Sequence, residues 1–126
     1  MELKNNLYNI VDRTKLKLGW DYTLSLHEEC PIYAAHFPER PITPGVCLLM
    51  VAKELLCDAL NLELTLNGVK NAKFLSVVSP TKDKELVCEI RDIEVYDDEV
   101  FAKITMRTTA EVKAKMSIMC IIHGNY

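Results

Sequence analysis

The stretch HFPERPITPGV, His36–Val46, sets three prolines between a histidine and a glycine nine residues later. Imidazole has an unperturbed pKa near neutrality, so His36 is suited to taking and returning a proton. Gly45 stands where an apolar run begins. If a helix starts there, its first backbone N–H groups lack intrahelical partners and sit at the positive end of the dipole, where they can hold developing negative charge. Three prolines remove backbone freedom, so this stretch is a stiff loop. Further chemistry is sparse. Glu54 is the nearest carboxylate beyond the apolar start of that run, and His27 and His123 have no partner pattern. The five cysteines, Cys30, Cys47, Cys57, Cys88 and Cys120, show neither CxxC pairs nor a disulfide-framework spacing. They read as reduced thiols, with Cys57 and Cys88 inside apolar periodic patterns, and no metal or cofactor is implied.

Elements must position these groups. Leu3, Leu7, Ile10 and Val11 recur at helical spacing and predict a short amphipathic helix near the N-terminus. Tyr22–Leu26 alternates as a strand. The prolines at 31, 38, 41 and 44 then forbid regular helix or central strand, so this segment is a shaped loop. Val46–Leu60 lacks Gly and Pro and is interrupted only by Lys53, Glu54 and Asp58, which predicts a helix buried on most of its surface. Ala72–Val78, Glu85–Tyr96, Val100–Thr108 and Val112–Ile122 read as strands joined by short connections, hence antiparallel neighbours. In Glu85–Tyr96 the apolar phase switches from Leu86, Cys88 and Ile90 to Ile93 and Val95, which places a bulge near Asp92. Together these predict an α+β architecture of the hot-dog kind, a curved antiparallel sheet wrapped around one long central helix.

Composition bounds the function. The chain has 126 residues, 49% hydrophobic and 26% charged, which suits a single domain over residues 1–126. A net charge of −3 and scattered lysines give no electrostatic reason to bind nucleic acid. The longest apolar run, Val46–Ala52, is too short to span a bilayer, and no secretion signal is visible, so the expected location is cytoplasmic.

HFPERPITPGV, preceded by PIYAA at Pro31–Ala35, resembles the active-site segment of the 3-hydroxyacyl-acyl-carrier-protein dehydratases of the FabA/FabZ type. The order of elements matches over most of the chain, and KFLSVVSP, Lys73–Pro80, is similar to that family's strand after the helix. The resemblance implies a hot-dog fold in which His36 abstracts the C2 proton of a 3-hydroxyacyl thioester and the Gly45 amide holds the thioester oxygen. Phe37, Pro44, Val46, Leu49 and Met50 would contact the acyl group. It further implies a homodimer or a multiple of dimers, with an acyl-carrier-protein or coenzyme A thioester as partner. The family's acidic residue, fourteen positions after the histidine, is here Met50, which cannot donate a proton. Glu54, one turn further along the helix, is the possible substitute acid. Three activities are compatible with this pattern: a dehydratase, a non-catalytic subunit binding an acyl thioester or acyl-carrier protein, and a hot-dog thioesterase.

Overall fold

Alternating apolar side chains organise the second half of the chain into strands, and the Gly- and Pro-free run before them into a helix. The computed structural model describes residues 2–35 and 39–125. The strands are β1 (Tyr8–Leu16), β2 (Gly19–Leu26), β3 (Leu62–Phe74), β4 (Glu85–Tyr96), β5 (Glu99–Arg107) and β6 (Val112–Asn125), and the helices are α1 (Pro31–Ala35) and α2 (Gly45–Leu60). All strand pairings are antiparallel, in one sheet of order β1-β2-β4-β5-β6-β3. This is the sheet of an α+β hot-dog arrangement, and it leaves β1 and β3 as edges.

Four of these elements agree closely with the sequence pattern. β4 has the predicted ends, and β5 and β6 follow it as antiparallel neighbours. The predicted bulge is present: the register shifts between Arg91 and Glu94, and Asp92 adopts φ 52°. On β6, Ala114, Met116, Ile118 and Cys120 point into the core. α2 buries Leu48, Val51, Ala52, Leu55 and Leu56, a stripe at helical spacing, and lies closest to β3 and β6. It is less enclosed than expected, because Val46 is 64% exposed. Asn61 ends it in the left-handed conformation and returns its N–H to Cys57 O.

Other elements differ. No helix forms near the N-terminus: Leu3 and Leu7 are both buried, but through one tight turn in which the Leu7 N–H bonds Leu3 O at 2.7 Å and Asn5 takes φ 70°. Ile10 and Val11 then belong to edge strand β1, with a bulge between Ile10 and Asp12. A single turn reproduces the i, i+4 signal that a helix would give. The segment expected to exclude helix contains α1, which begins at Pro31. A proline at the first helical position loses no hydrogen bond there and has the φ that a helix needs. The strand expected over Ala72–Val78 begins ten residues earlier, at Leu62, and stops at Phe74. Its first half alternates inward Leu62, Leu64 and Leu66, but Asn67, Gly68 and Asn71 break the pattern, and two of the three register shifts against β6, between Leu66 and Gly68 and between Val69 and Asn71, mark those breaks. The five cysteines are free thiols, all buried except half-buried Cys47. Among the described residues no helix is long and apolar enough to cross a membrane.

Candidate functional site

At the start of α2, donors lack acceptors among the described residues. Pro44, with φ −60° and ψ 146°, offers no side-chain cap, and its carbonyl accepts the N–H groups of Cys47 at 3.0 Å and Leu48 at 3.2 Å. Among the described residues, the N–H groups of Gly45 and Val46 have no acceptor. Two free donors at the positive end of a sixteen-residue helix favour a partly negative oxygen. They border a cleft of about 400 Å³ lined by Ile42, Pro44, Gly45, Leu48, Phe74 and Val77, among others. The Phe74 ring lies against the Gly45 backbone, so closely that a Cβ on Gly45 would sit 3.0–3.3 Å from three ring carbons. Glycine therefore allows the close approach of this ring, which would have to shift by a few tenths of an ångström for any larger residue.

A chain of hydrogen bonds fixes the cleft's walls relative to each other. The Thr43 N–H donates to Val78 O at 2.7 Å, joining the loop before α2 to the segment after β3. Buried Tyr33, on α1, meets buried Thr43 through their hydroxyls at 2.8 Å. Burial raises the Tyr33 phenol above its ordinary pKa, so it stays neutral and keeps this bond. Tyr33 thus ties the helix ending at Ala35 to the loop ending at Pro44. His36 and Phe37, singled out in the sequence, lie outside the described residues.

The remaining sequence candidates divide. Pro44 and Gly45 line the cleft, whereas Val46, Leu49 and Met50 are not among its lining residues; Leu48 takes the place expected for Leu49. The walls Phe74 and Val77 had no signal in the motif, because they reach the helix start only through the long-range placement of the β3 end. Glu54 is occupied elsewhere. Its side chain accepts the N–H of Leu3 at 2.8 Å, the N–H of Lys4 at 3.0 Å and the hydroxyl of Tyr8 at 2.8 Å, and the residue is 8% exposed. The residue expected as substitute acid thus closes the N-terminal segment onto α2 and is not among the residues that line the cleft.

A larger groove, about 680 Å³, lies between β3, β6, β5 and β4 among Lys70, Asn71, Lys103 and Ser117. It is lined by Lys70, Lys103, Asp92 and Glu94 but contains no residue of the His36–Val46 stretch and no helix start. The smaller cleft, where free donors meet an apolar wall, is the better candidate. Among the described residues, no three His, Cys, Asp or Glu side chains gather in a way that would hold a metal ion.

Comparison with known proteins adds to this geometry. A family model described as ApeI-like, ApeI dehydratase, matches residues 12–115. Among solved structures, the dehydratase heterocomplex ApeI:P from Xenorhabdus doucetiae is similar with a TM-score of 0.69 at 15% identity, covering 90% of this chain and 97% of that one. A thioesterase from Haemophilus influenzae is similar with a TM-score of 0.65 at 12% identity, covering 95% and 81%. A hypothetical thioesterase with coenzyme A from Streptococcus pneumoniae follows with a TM-score of 0.62 at 10% identity, covering 90% and 86%. At these identities the structural likeness establishes the fold alone. No curated protein matches the chain significantly in sequence.

Proposed function

The chain belongs to the ApeI-like dehydratase family, and on that premise we propose that it dehydrates a 3-hydroxyacyl thioester carried by coenzyme A or an acyl-carrier protein. The observation that carries this reading is the Gly45 N–H, without an acceptor among the described residues, at the edge of a cleft with apolar walls and nine residues after a histidine. In this reading the thioester oxygen accepts a hydrogen bond from the Gly45 N–H, which stabilises the enolate formed when neutral His36 removes the C2 proton. Electrons from the C2–H bond form the C2–C3 double bond, and hydroxide leaves C3 with a proton. Phe37 and Pro44 border the thioester. The acyl chain runs over Leu48, Phe74 and Val77, with Val46, Leu49 and Met50 joining only where a second chain covers the same helix face.

The leaving hydroxide needs an acid that Met50 cannot supply, and Glu54 is engaged by the N-terminal segment. Water or a second chain fills that role. We place the protein in a homodimer or a multiple of dimers. Support comes from β3 being an open sheet edge and from Val46, Phe74, Leu75 and Val77 being large apolar side chains exposed beside the cleft. Free thiols suit a reducing compartment such as the cytoplasm.

The engagement of Glu54 also favours a second reading, in which the chain is a non-catalytic subunit that binds the acyl thioester or its carrier. Purified protein offered a 3-hydroxyacyl thioester separates the two. The dehydratase reading expects enoyl product, lost by roughly 10²-fold or more in His36→Ala and raised by a similar factor in Met50→Glu. If neither the natural chain nor a folded Met50→Glu protein turns over while both bind the thioester, the binding-subunit reading replaces it. Release of free thiol from an acyl thioester lacking the hydroxyl would instead identify a thioesterase.

A further inference from the structure

Lys113 sits on β6 with its side chain only 7% exposed, although its neighbour two residues on, Lys115, is exposed. Burying an ammonium is costly unless it is paired and hydrogen-bonded. Here the Lys113 Nζ bonds Glu111 Oε1 at 2.8 Å and lies 3.3 Å from Asp83 Oδ2. Both carboxylates also hold the segment that follows β3. Glu111 Oε1 accepts the Ser76 hydroxyl at 2.9 Å, and Asp83 Oδ2 accepts the Ser79 N–H at 3.0 Å. The Lys113 carbonyl accepts the N–H groups of Leu75 at 2.8 Å and Ser76 at 3.2 Å. One residue therefore grips Leu75–Ser79 directly through its carbonyl and indirectly through its ammonium.

That segment is a wall of the cleft; its far end is also held by the Asp83 N–H on Ser79 O at 2.7 Å and by the Ser79–Thr81 hydroxyl pair at 2.9 Å, whereas at Leu75 and Ser76 the described bonds all run to Lys113 and Glu111. Leu75, Ser76, Val77 and Val78 line the cleft, none belongs to a strand, and Leu75 and Val77 are 57% and 56% exposed. Val78 is buried, and its carbonyl receives the Thr43 N–H that fixes the opposite wall. Lys113 does not line the cleft.

We infer that Lys113 is a positioning residue for the acyl-thioester cleft, its buried ammonium bridging Glu111 and Asp83 so that Leu75–Ser79 is held at a fixed distance from the uncapped start of α2. The inference rests on the proposed function for the identity of the ligand, and on the structure alone for the placement of the wall. A wall held in place before binding spares the ligand the cost of ordering it. Lys113 carries a raised pKa: burial alone would lower it, and the bonds to Glu111 and the charge of Asp83 outweigh that. The ammonium therefore stays charged throughout the neutral range, and the grip does not depend on pH there.

Three variants test this: Lys113→Met, which removes the charge at similar size; Lys113→Arg, which keeps it; and Ser76→Ala, which cuts one bond and leaves the lysine in place. Amide exchange of Leu75, Ser76 and Ser79 should speed up about tenfold or more in Lys113→Met, while β4 and β5 amides stay within about twofold, and Lys113→Arg should restore most of the protection. Binding of an acyl-coenzyme A should weaken about tenfold in Lys113→Met and less in Ser76→Ala. Unchanged exchange at Leu75–Ser79, or exchange that rises equally in β4 and β5, overturns the inference by reducing Lys113 to a general stabiliser. Should Lys113→Met not fold, slower or unchanged exchange at Leu75 and Ser76 in Ser76→Ala overturns it, and faster exchange confined to the segment supports it. If the natural chain binds neither an acyl-coenzyme A nor an acyl-carrier-protein thioester, the proposed function fails, and the exchange pattern still decides whether Lys113 places the wall.

Discussion

The two ends of α2 are built in opposite ways. At its C-terminal half, Glu54 accepts three hydrogen bonds, and one turn later Asp58 accepts the Tyr22 hydroxyl at 2.6 Å and Arg13 through Nε at 2.9 Å and Nη2 at 3.1 Å. These two carboxylates fasten the N-terminal segment and the β1–β2 hairpin to the helix. Burial and then the Glu54 charge drive the Tyr8 phenol far above its ordinary pKa, so its proton stays in place. At the N-terminal end the first two N–H groups have no described acceptor, no acidic side chain stands in the first turn, and Val46 faces solvent. A cap there would add about 0.5–2 kcal/mol. Its absence at one end of a helix so thoroughly tied at the other is the contrast on which the proposed binding of a ligand or a partner at the open end rests.

The largest effect should come from the closed end. Glu54→Ala leaves the buried Tyr8 hydroxyl and the Leu3 N–H without acceptors, and each buried donor left unsatisfied costs about 1–3 kcal/mol. Urea unfolding should show that loss, with Glu54→Gln retaining part of it. This also separates closure from chemistry. If Glu54→Gln kept full stability and abolished dehydration, Glu54 would be an acid after all, and the two ends of the helix would share one function.

How far the sequence discloses this contrast depends on the range of the interactions involved. β4, β5, β6, the Asp92 bulge and most of α2 follow from side-chain periodicity, which is local. Pro44–Gly45 is legible as a helix start for the same reason. Edge strand β1 is not, because most of its side chains are exposed and its Ile10 and Val11 continue the helical spacing set by the turn at Leu3 and Leu7 just before it. Nor is the engagement of Glu54, whose partners lie about fifty residues earlier in the chain. The Phe74 wall and the Lys113 grip arise from the same kind of distant pairing, so the motif discloses the donors of the cleft and not its walls.

A smaller effect, dependent on pH, should come from Asp58. Burial raises its pKa, but the bonds from Tyr22 and Arg13 and the charge of Lys4 outweigh this and hold it below the ordinary carboxylate value. A depressed folded-state pKa stabilises the fold above the unfolded value, near 3.9, and the contribution fades as pH falls through the lower folded value. Asp58→Asn should therefore cost about 1.5–3 kcal/mol at pH 7. The gap from the natural protein should narrow below about pH 4. Urea midpoints at pH 7, 5 and 3 check this, and a gap that widens in acid would mean that the hairpin is held by something other than the ionised carboxylate.

The smallest effect on stability belongs to the open end, where it is also the most informative. Val46 is 64% exposed in the single chain and touches little, so Val46→Ser should move the urea midpoint by no more than about 0.5 kcal/mol equivalent. If the exposed group of Val46, Phe74, Leu75 and Val77 is covered by a second chain, the same substitution removes apolar area from that contact, at roughly 25 cal/mol for each Å². Sedimentation of the natural protein should show a dimer or a multiple of one at micromolar concentration, and Val46→Ser should shift it toward monomer. Weaker assembly with unchanged monomer stability would mean that this end is open only until a partner arrives. A protein that is monomeric with either residue, and that still binds an acyl thioester, would assign the uncapped helix start to the ligand alone.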